Sequence, residues 1–318
     1  REAARAGVDA VKVAAYTAAE FTTDTPYTYR TLGGTQERTE SQLVMFERLA
    51  LSYDTIVRLK RETKRLGLDF IVTATDALWV TRMAALGVDA FKVGSDDIVH
   101  YPLLLALRIS GRPVIISTGM ASREEIDGAV ISQRNLVALL HCVSLYPTPP
   151  RRANLYRMAQ LASRVPVPVG YSDHTVGVSA ALLAVGMGAA VLEKHFTLDR
   201  NGDGPDHWFS ATGDELGSIT HFVRMQAEMI GSGRLEPEHE ELQMRIVARR
   251  SIVASKDLPP GHTLDYPDLA YRRPGSGLWP NQRADVIGKV LRLPLRAGQQ
   301  VLPSLLIEAA QMRPAVTH

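Results

Sequence analysis

Six short apolar runs recur through the chain: LDFIVTA (68–74), VDAFKVG (88–94), RPVIIST (112–118), LVALLHC (136–142), VPVPVGY (165–171) and AAVLEKH (189–195). Each is rich in β-branched or aliphatic residues and stops at a polar cluster, which is the pattern of a buried strand. A seventh run, 8–14, precedes them, behind residues 1–6, which read as the last turns of an amphipathic helix closed by Gly7. Segments 53–67, 77–87, 101–110, 122–131, 154–163 and 175–188 between the runs have helical length, and in 53–67 Ile56, Leu59, Thr63 and Leu66 share one face. Strands alternating with helices give a parallel sheet. With one more strand and most of its helix expected ahead of Arg1, closure as a (β/α)8 TIM barrel over 1–231 follows. Residues 15–52, polar and threonine-rich with Gly33-Gly34, read as a long loop.

A barrel carries its chemistry at the carboxyl ends of its strands, so polar residues should gather where each run stops. They do. Lys12 lies in the first run, Thr73 and Asp76 end the second, and Lys92, Ser95, Asp96 and Asp97 end the third. Ser117 and Thr118 end the fourth, followed by Gly119; Ser144 and Tyr146 follow the fifth, Ser172, Asp173 and His174 the sixth, Glu193, Lys194 and His195 the seventh. Strand-borne lysines, hydroxyls and glycine turns around one mouth are the ingredients of a phosphate or carboxylate site. The stretch 169–209 concentrates this signal. Its two strands, if neighbours, set His174 and His195 side by side, with Asp206 and His207 on the next loop able to close over them. Such a group suits a divalent metal with open positions, and so many ionisable groups are costly to hold together unless something binds them.

Composition narrows the field. At 318 residues, with 45% hydrophobic and 22% charged residues, the chain has room for one large core and a smaller domain. A net charge of +2 offers no basic field for nucleic acid, and no apolar run is long enough to cross a bilayer. The single cysteine, Cys142, sits in an apolar run and reads as a buried structural thiol, so a reducing cytoplasm is the expected compartment. After residue 231 a charged, Gly- and Glu-rich connector (232–248) leads into short β-type runs broken by Pro and Gly over 249–318.

Across nearly the whole chain, and in order, AGVDAVK (6–12), LALSYD (49–54), KVGSDDIVHYPLL (92–104), RPVIISTGMAS (112–122), LLHCVSLYPTPP (139–150), PVGYSDHTVGVS (168–179), EKHFTLDRNGDGPDHWFS (193–210) and RRPGSGLWP (272–280) resemble the sialic acid synthase family. That family condenses phosphoenolpyruvate with an N-acylated hexosamine to make nine-carbon sugar acids, N-acetylneuraminate from N-acetylmannosamine among them. The resemblance implies a divalent metal on His174 and His195, manganese by preference, with magnesium or cobalt as substitutes. It implies phosphoenolpyruvate near Thr73, Lys92, Ser95, Ser117, Ser144 and Ser172, with Lys12 and Lys194 as fixed cations, and sugar near Tyr146 and Asp206. Asp97 stands where the family commonly has Glu, in reach of a proton or a cationic intermediate. The carboxy-terminal part resembles the family's small antifreeze-like (SAF) domain, which is donated across a domain-swapped homodimer so that an arginine, here Arg273, reaches the partner's sugar.

The departures fall on the sugar side. Where family members continue AVK with Phe-Gln, Val13-Ala14 stand here, and alanine cannot make the glutamine's hydrogen bond. Val72-Thr73-Ala74-Thr75-Asp76 replaces Ser-Thr-Pro-Phe-Asp, and Ser95-Asp96-Asp97 replaces Ser-Gly-Glu. N-acetylmannosamine is therefore the default acceptor. The alternatives are a diacetamido hexose, leading to legionaminic or pseudaminic acids, and a non-catalytic sugar-binding relative, against which the two histidines and Lys92 argue.

Overall fold

The computed structural model describes residues 1–308. The chain divides into two compact units, Arg1–Gly231 and Ser232–His318. The first is a seven-stranded parallel sheet in sequential order, curled as in a (β/α)8 barrel. Its strands are β1 (Ala10–Ala15), β2 (Asp69–Ala74), β3 (Ala90–Val93), β4 (Val114–Ser117), β5 (Leu136–Cys142), β6 (Val169–Asp173) and β7 (Leu192–Lys194). The helices between and after them are α1 (Tyr53–Arg65), α2 (Ala77–Leu86), α3 (Tyr101–Ser110), α4 (Arg123–Ser132), α5 (Tyr156–Ala162), α6 (Ser179–Gly186) and α7 (Gly213–Met229).

Local chemistry starts these helices where the sequence says they should start. Ser52, Asp76, Ser122 and Thr212 each accept the backbone N–H three residues on, satisfying one of the amides a helix leaves free. Gly87 and Gly111 close α2 and α3 in left-handed conformation. The core between sheet and helices holds Phe70, Phe91, Ile116, Leu139 and Tyr171 against Met83, Leu103, Leu104 and Leu107, all essentially without solvent exposure. Each such side chain contributes on the order of 1.5–3 kcal/mol by leaving water. No helix among the described residues is long and apolar enough to cross a membrane.

The segment expected as a loop over 15–52 is structured. After a short helix (Ala18–Phe21), Pro26–Thr31 and Gln36–Ser41 pair as an antiparallel hairpin, and Gln42–Leu49 is a helix capped by Ser41. Leu32, Gly33 and Gly34 turn the hairpin with φ of 50°, 66° and 82°. Threonine and tyrosine made the segment look irregular because it is polar on both faces, but both are good strand formers once a surface is there to pack on.

In the second unit, Ser251–Ala254 pairs antiparallel with Leu269–Arg272, and Val290–Leu291 with Leu306–Ile307, around Ile252, Leu264, Val286, Leu291, Leu295 and Val301. The connector expected over 232–248 contains a helix, His239–Ala248, and residues 309–318 of the expected carboxy-terminal domain lie outside the described residues. Asp268 ties this unit together. Its carboxylate contacts His262 Nε2 at 2.7 Å and Lys256 Nζ at 3.0 Å, and accepts the Asp265 amide at 3.0 Å. Burial raises its pKa, but those donors outweigh burial and bring it down to about 2. A depressed carboxyl stabilises the fold above the unfolded value, near 3.8, and that contribution is lost as pH falls toward 2. Calorimetric scans of the full chain from pH 6 to 2 should show the wild type losing more stability below pH ~4 than Asp268→Asn, which starts less stable at pH 6.

Candidate active site

The mouth of the barrel is built by strand alternation. Ser172 pairs in register with Glu193, and Asp173 with Lys194, so the first pair faces the lumen and the second faces outward. Glu193 is the hub of the inner set. Its Oε1 lies 2.7 Å from Lys12 Nζ on β1, its Oε2 lies 3.6 Å from Lys92 Nζ on β3, and the same Oε2 accepts the Ser172 hydroxyl at 2.7 Å. Burial raises the pKa of Glu193, but the two lysines and Ser172 outweigh it and hold the carboxylate well below its usual range. Lys92 is only 4% exposed, and its burial lowers its pKa against the opposing pull of Glu193.

Around this charged centre lie hydroxyls with nothing to bind. Thr73 Oγ1 and Ser117 Oγ are buried and have no partner among the described residues. Buried polar atoms are nearly always paired, so these two mark a place where a polar ligand completes the structure. Ser95 Oγ accepts the Gly119 amide at 2.8 Å. A Cβ on Gly119 would lie 3.0 Å from Cys142 Sγ and closer still to the hydroxyls of Ser95 and Ser144, so only glycine leaves this cluster open.

His174 and His195 follow β6 and β7, with ring centroids 5.3 Å apart. His174 Nδ1 is 2.9 Å from the Val143 carbonyl, which can only accept; the proton is therefore on Nδ1 and the Nε2 lone pair is free. His195 Nδ1 lies 3.4 Å from Asp206 Oδ2. Burial, then the positive charge of Lys12, lowers the His195 pKa to about 3, so this imidazole is neutral at ordinary pH. Burial also works against charge on His174, but the Cys142 thiol and the Val143 carbonyl outweigh it and raise its pKa. Tyr146 lies with its ring centroid 4.2 Å from that of His174, and Phe209 5.3 Å from that of His195. Asp206 is pushed above the usual carboxylate range by burial.

Three expected site residues stand elsewhere. Lys194 points out of the barrel, where its Nζ bonds Asp173 Oδ2 at 2.7 Å and the Thr175 carbonyl at 2.8 Å in an almost fully buried pair; one step of register separates it from the lumen. Asp97 is engaged at 3.1 Å with His100 at the start of α3 and hydrogen-bonds no mouth side chain among the described residues. His207, expected to close over the histidines, is turned to Thr197 Oγ1 at 2.7 Å. Arg273, by contrast, belongs to the second unit and is exposed there. Conversely, nothing in the sequence analysis gives Glu193 its hub role, although its place two residues before His195 is a signal for it. Cys142 is buried as expected, but its Sγ faces the site, 3.8 Å from His174 Nδ1 and 3.5 Å from Ser95 Oγ.

The hairpin also serves the site. Arg38 bonds Asp203 at 2.9 Å, Thr31 bonds the Gly202 carbonyl at 3.4 Å, and Gly34 packs so closely on Trp208 that a Cβ there would sit 2.8 Å from the indole. These contacts hold the 199–208 loop, and with it Asp206, over His195.

Comparison with known proteins bears on the family of the chain. The model of a family described as the NeuB family matches residues 1–235, and that of the SAF domain matches 249–307. An uncharacterized protein of Methanocaldococcus jannaschii is 38% identical over 282 residues, covering 87% of this chain and 80% of its own length. The N,N'-diacetyllegionaminic acid synthase of Legionella pneumophila is 34% identical over 308 residues, covering 94% of this chain and 86% of its own. Among solved structures, the N-acetylneuraminic acid synthetase of Leptospira borgpetersenii matches 76% of this chain and 81% of its own with a TM-score of 0.68 and 32% identity.

Proposed function

The chain belongs to the NeuB family of synthases and is an enzyme, and on that premise we propose that it condenses phosphoenolpyruvate with a diacetamido hexose to give a legionaminic-type nonulosonic acid. The observation that carries the phosphoenolpyruvate half is the cation pair Lys12 and Lys92 joined through Glu193, beside the unpartnered hydroxyls of Thr73 and Ser117. A small, highly charged anion with phosphate and carboxylate groups supplies what those donors lack.

In this reading Lys92, Thr73, Ser117 and the Ser95–Ser144 cluster around Gly119 bind and orient phosphoenolpyruvate. Lys12 and Ser172 border it, and Glu193 keeps the Lys92 ammonium group charged. The methylene carbon of phosphoenolpyruvate forms a bond to the aldehyde carbon of the sugar. Water adds to the resulting cationic enol carbon, and phosphate leaves by cleavage of the bond between that carbon and the bridging oxygen. Tyr146 and Asp206 face the acceptor, and the raised pKa of Asp206 suits a group that holds a proton near a sugar hydroxyl.

A divalent cation fits the imidazole pair, because Nε2 of His174 is free and His195 is neutral. No set of three His, Cys, Asp or Glu side chains forms a metal shell among the described residues. The cation, manganese by expectation with magnesium or cobalt as substitutes, would take two nitrogens from the protein and leave its other positions to substrate and water. When bound it supplies Lewis-acid polarisation of the acceptor carbonyl.

Two observations support the diacetamido acceptor. Ala14 is exposed at the mouth in register with Thr73, a methyl group where a longer polar side chain would narrow the acceptor side. The Legionella relative, named for a diacetyl product, covers nearly the whole chain. The likeness to the Leptospira synthetase keeps N-acetylmannosamine as the second reading. As part of the proposal, Arg273 meets the acyl group of sugar held by a partner copy in a homodimer, so Arg273→Ala should raise the sugar KM more than that of phosphoenolpyruvate.

Phosphate release from phosphoenolpyruvate with manganese, measured against 2,4-diacetamido-2,4,6-trideoxymannose, N-acetylmannosamine and no sugar, tests the function. Release dependent on the diacetamido sugar is expected. Release with N-acetylmannosamine alone would install the second reading, and release with neither would overturn both acceptors.

A further inference from the structure

Beside the carboxyl end of β5 is a recess of about 450 Å³ lined by Val143, Leu145, Arg151, Arg152, Asn154 and Arg157. Val143 and Leu145 directly follow β5 and supply the apolar part of the lining. The arginines come from one short stretch, Arg151 and Arg152 from the turn Pro150–Arg152 and Arg157 from the first turn of α5. Asn154 between them has φ of +45°, a left-handed conformation that asparagine tolerates and that folds the chain back on itself.

Among the described residues, no carboxylate lines the recess. Several other arginines of the first unit find acids: Arg123 and Arg164 share Asp127, and Arg200 pairs with Glu215 at 2.5 Å. Arg151, Arg152 and Arg157 make no ion pair and no side-chain hydrogen bond among the described residues, although they crowd one concavity. Gathered at one concavity, these exposed guanidinium groups present positive charge and a donor fork that a multivalent oxyanion matches. The recess is several times the size of a phosphate group, within the range of small-molecule sites, and its floor is apolar.

We propose that this recess binds a phosphorylated small molecule, its phosphate held by Arg151, Arg152 and Arg157 and its carbon part resting on Val143 and Leu145. None of its lining side chains is among those assigned to the mouth, and the two are linked through Val143, whose carbonyl fixes His174.

Titration calorimetry of glucose 6-phosphate into the full chain and into an Arg151→Ser/Arg157→Ser variant tests this, because any binding at the mouth is common to both. The wild type should show a binding event that is at least about tenfold weaker in the variant, while phosphoenolpyruvate turnover by the variant stays unchanged. The reversed-charge variant Arg152→Glu should lose the same event. Inorganic phosphate should bind there more weakly than the sugar phosphate, and equal affinity would overturn the role given to Val143 and Leu145. Identical titrations for wild type and both variants would overturn the site. Failure of the proposed synthase activity would leave this arginine-dependent difference intact, so the two readings fail separately.

Discussion

Replacing Glu193 with glutamine should lower kcat/KM for phosphoenolpyruvate by about two to three orders of magnitude, while the protein still folds. The isostere keeps the shape and the Ser172 contact but removes the charge that faces Lys12 and Lys92. Lys92 then becomes a buried ammonium with no acid beside it, and breaking such a pair costs about 3–5 kcal/mol, against 1.36 kcal/mol for each tenfold in rate. The lysine has a cheaper response than bearing that cost, which is to lose its proton. Burial already lowers its pKa, and Glu193 is the largest influence opposing the shift, so removing the carboxylate lowers it further. The alkaline limb of the kcat/KM profile should therefore move to lower pH in the variant, with the smallest deficit at the acid end of the working range. Glu193→Asp, which keeps the charge on a shorter stem, should recover part of the loss. A profile that falls uniformly, with its alkaline limb in place, would show that Glu193 acts by shape and not by holding Lys92 charged.

The same residue shows where reading the sequence reaches its limit. The barrel is legible because each strand is a continuous apolar run between turn residues, the pattern of a strand covered on both faces; LVALLHC becomes β5 residue for residue. The histidine pair is legible for a related reason, since both residues directly follow parallel strands whose register then sets them side by side. A run that is apolar throughout carries no alternation, however, so AAVLEKH does not say whether Glu193 or Lys194 faces the lumen. That is settled by register against β6, which is a long-range fact. The spacing of two from His195, which directly follows β7, is the only local hint of it. The hairpin was hidden differently. Its inner face is occupied by Tyr29, Arg38 and Glu40, and its partner is the loop near residue 203, so no apolar stripe advertises it. Cys142 was read correctly as buried, but burial in a barrel mouth and burial in the outer core look alike in a sequence.

Exhaustive chelation should abolish turnover, and manganese should restore it, because the reaction needs an electrophilic aldehyde and, among the described residues of the first unit, the cations at the mouth are lysines already committed to Glu193. Two imidazoles are a thin ligand set, so the ion should be removable by dialysis alone, unlike one held in a closed shell of four protein ligands. His174→Ala and His195→Ala should each reduce activity by about three orders of magnitude and shift the manganese requirement beyond a usable range. Asp206→Asn separates ligation from orientation. Asp206 contacts Nδ1 of His195, the nitrogen opposite the one that would bind the ion, and losing such a support costs about 10- to 100-fold in metal affinity or activity. Its apparent manganese affinity should therefore weaken while saturating manganese recovers much of the rate, whereas neither histidine variant should be rescued this way. Full activity after chelation would remove the metal from the reaction. The neutral His195 and the free Nε2 of His174 would then be left as hydrogen-bonding groups for the acceptor, a role in which the alanine variants should raise the sugar KM and leave kcat nearly unchanged.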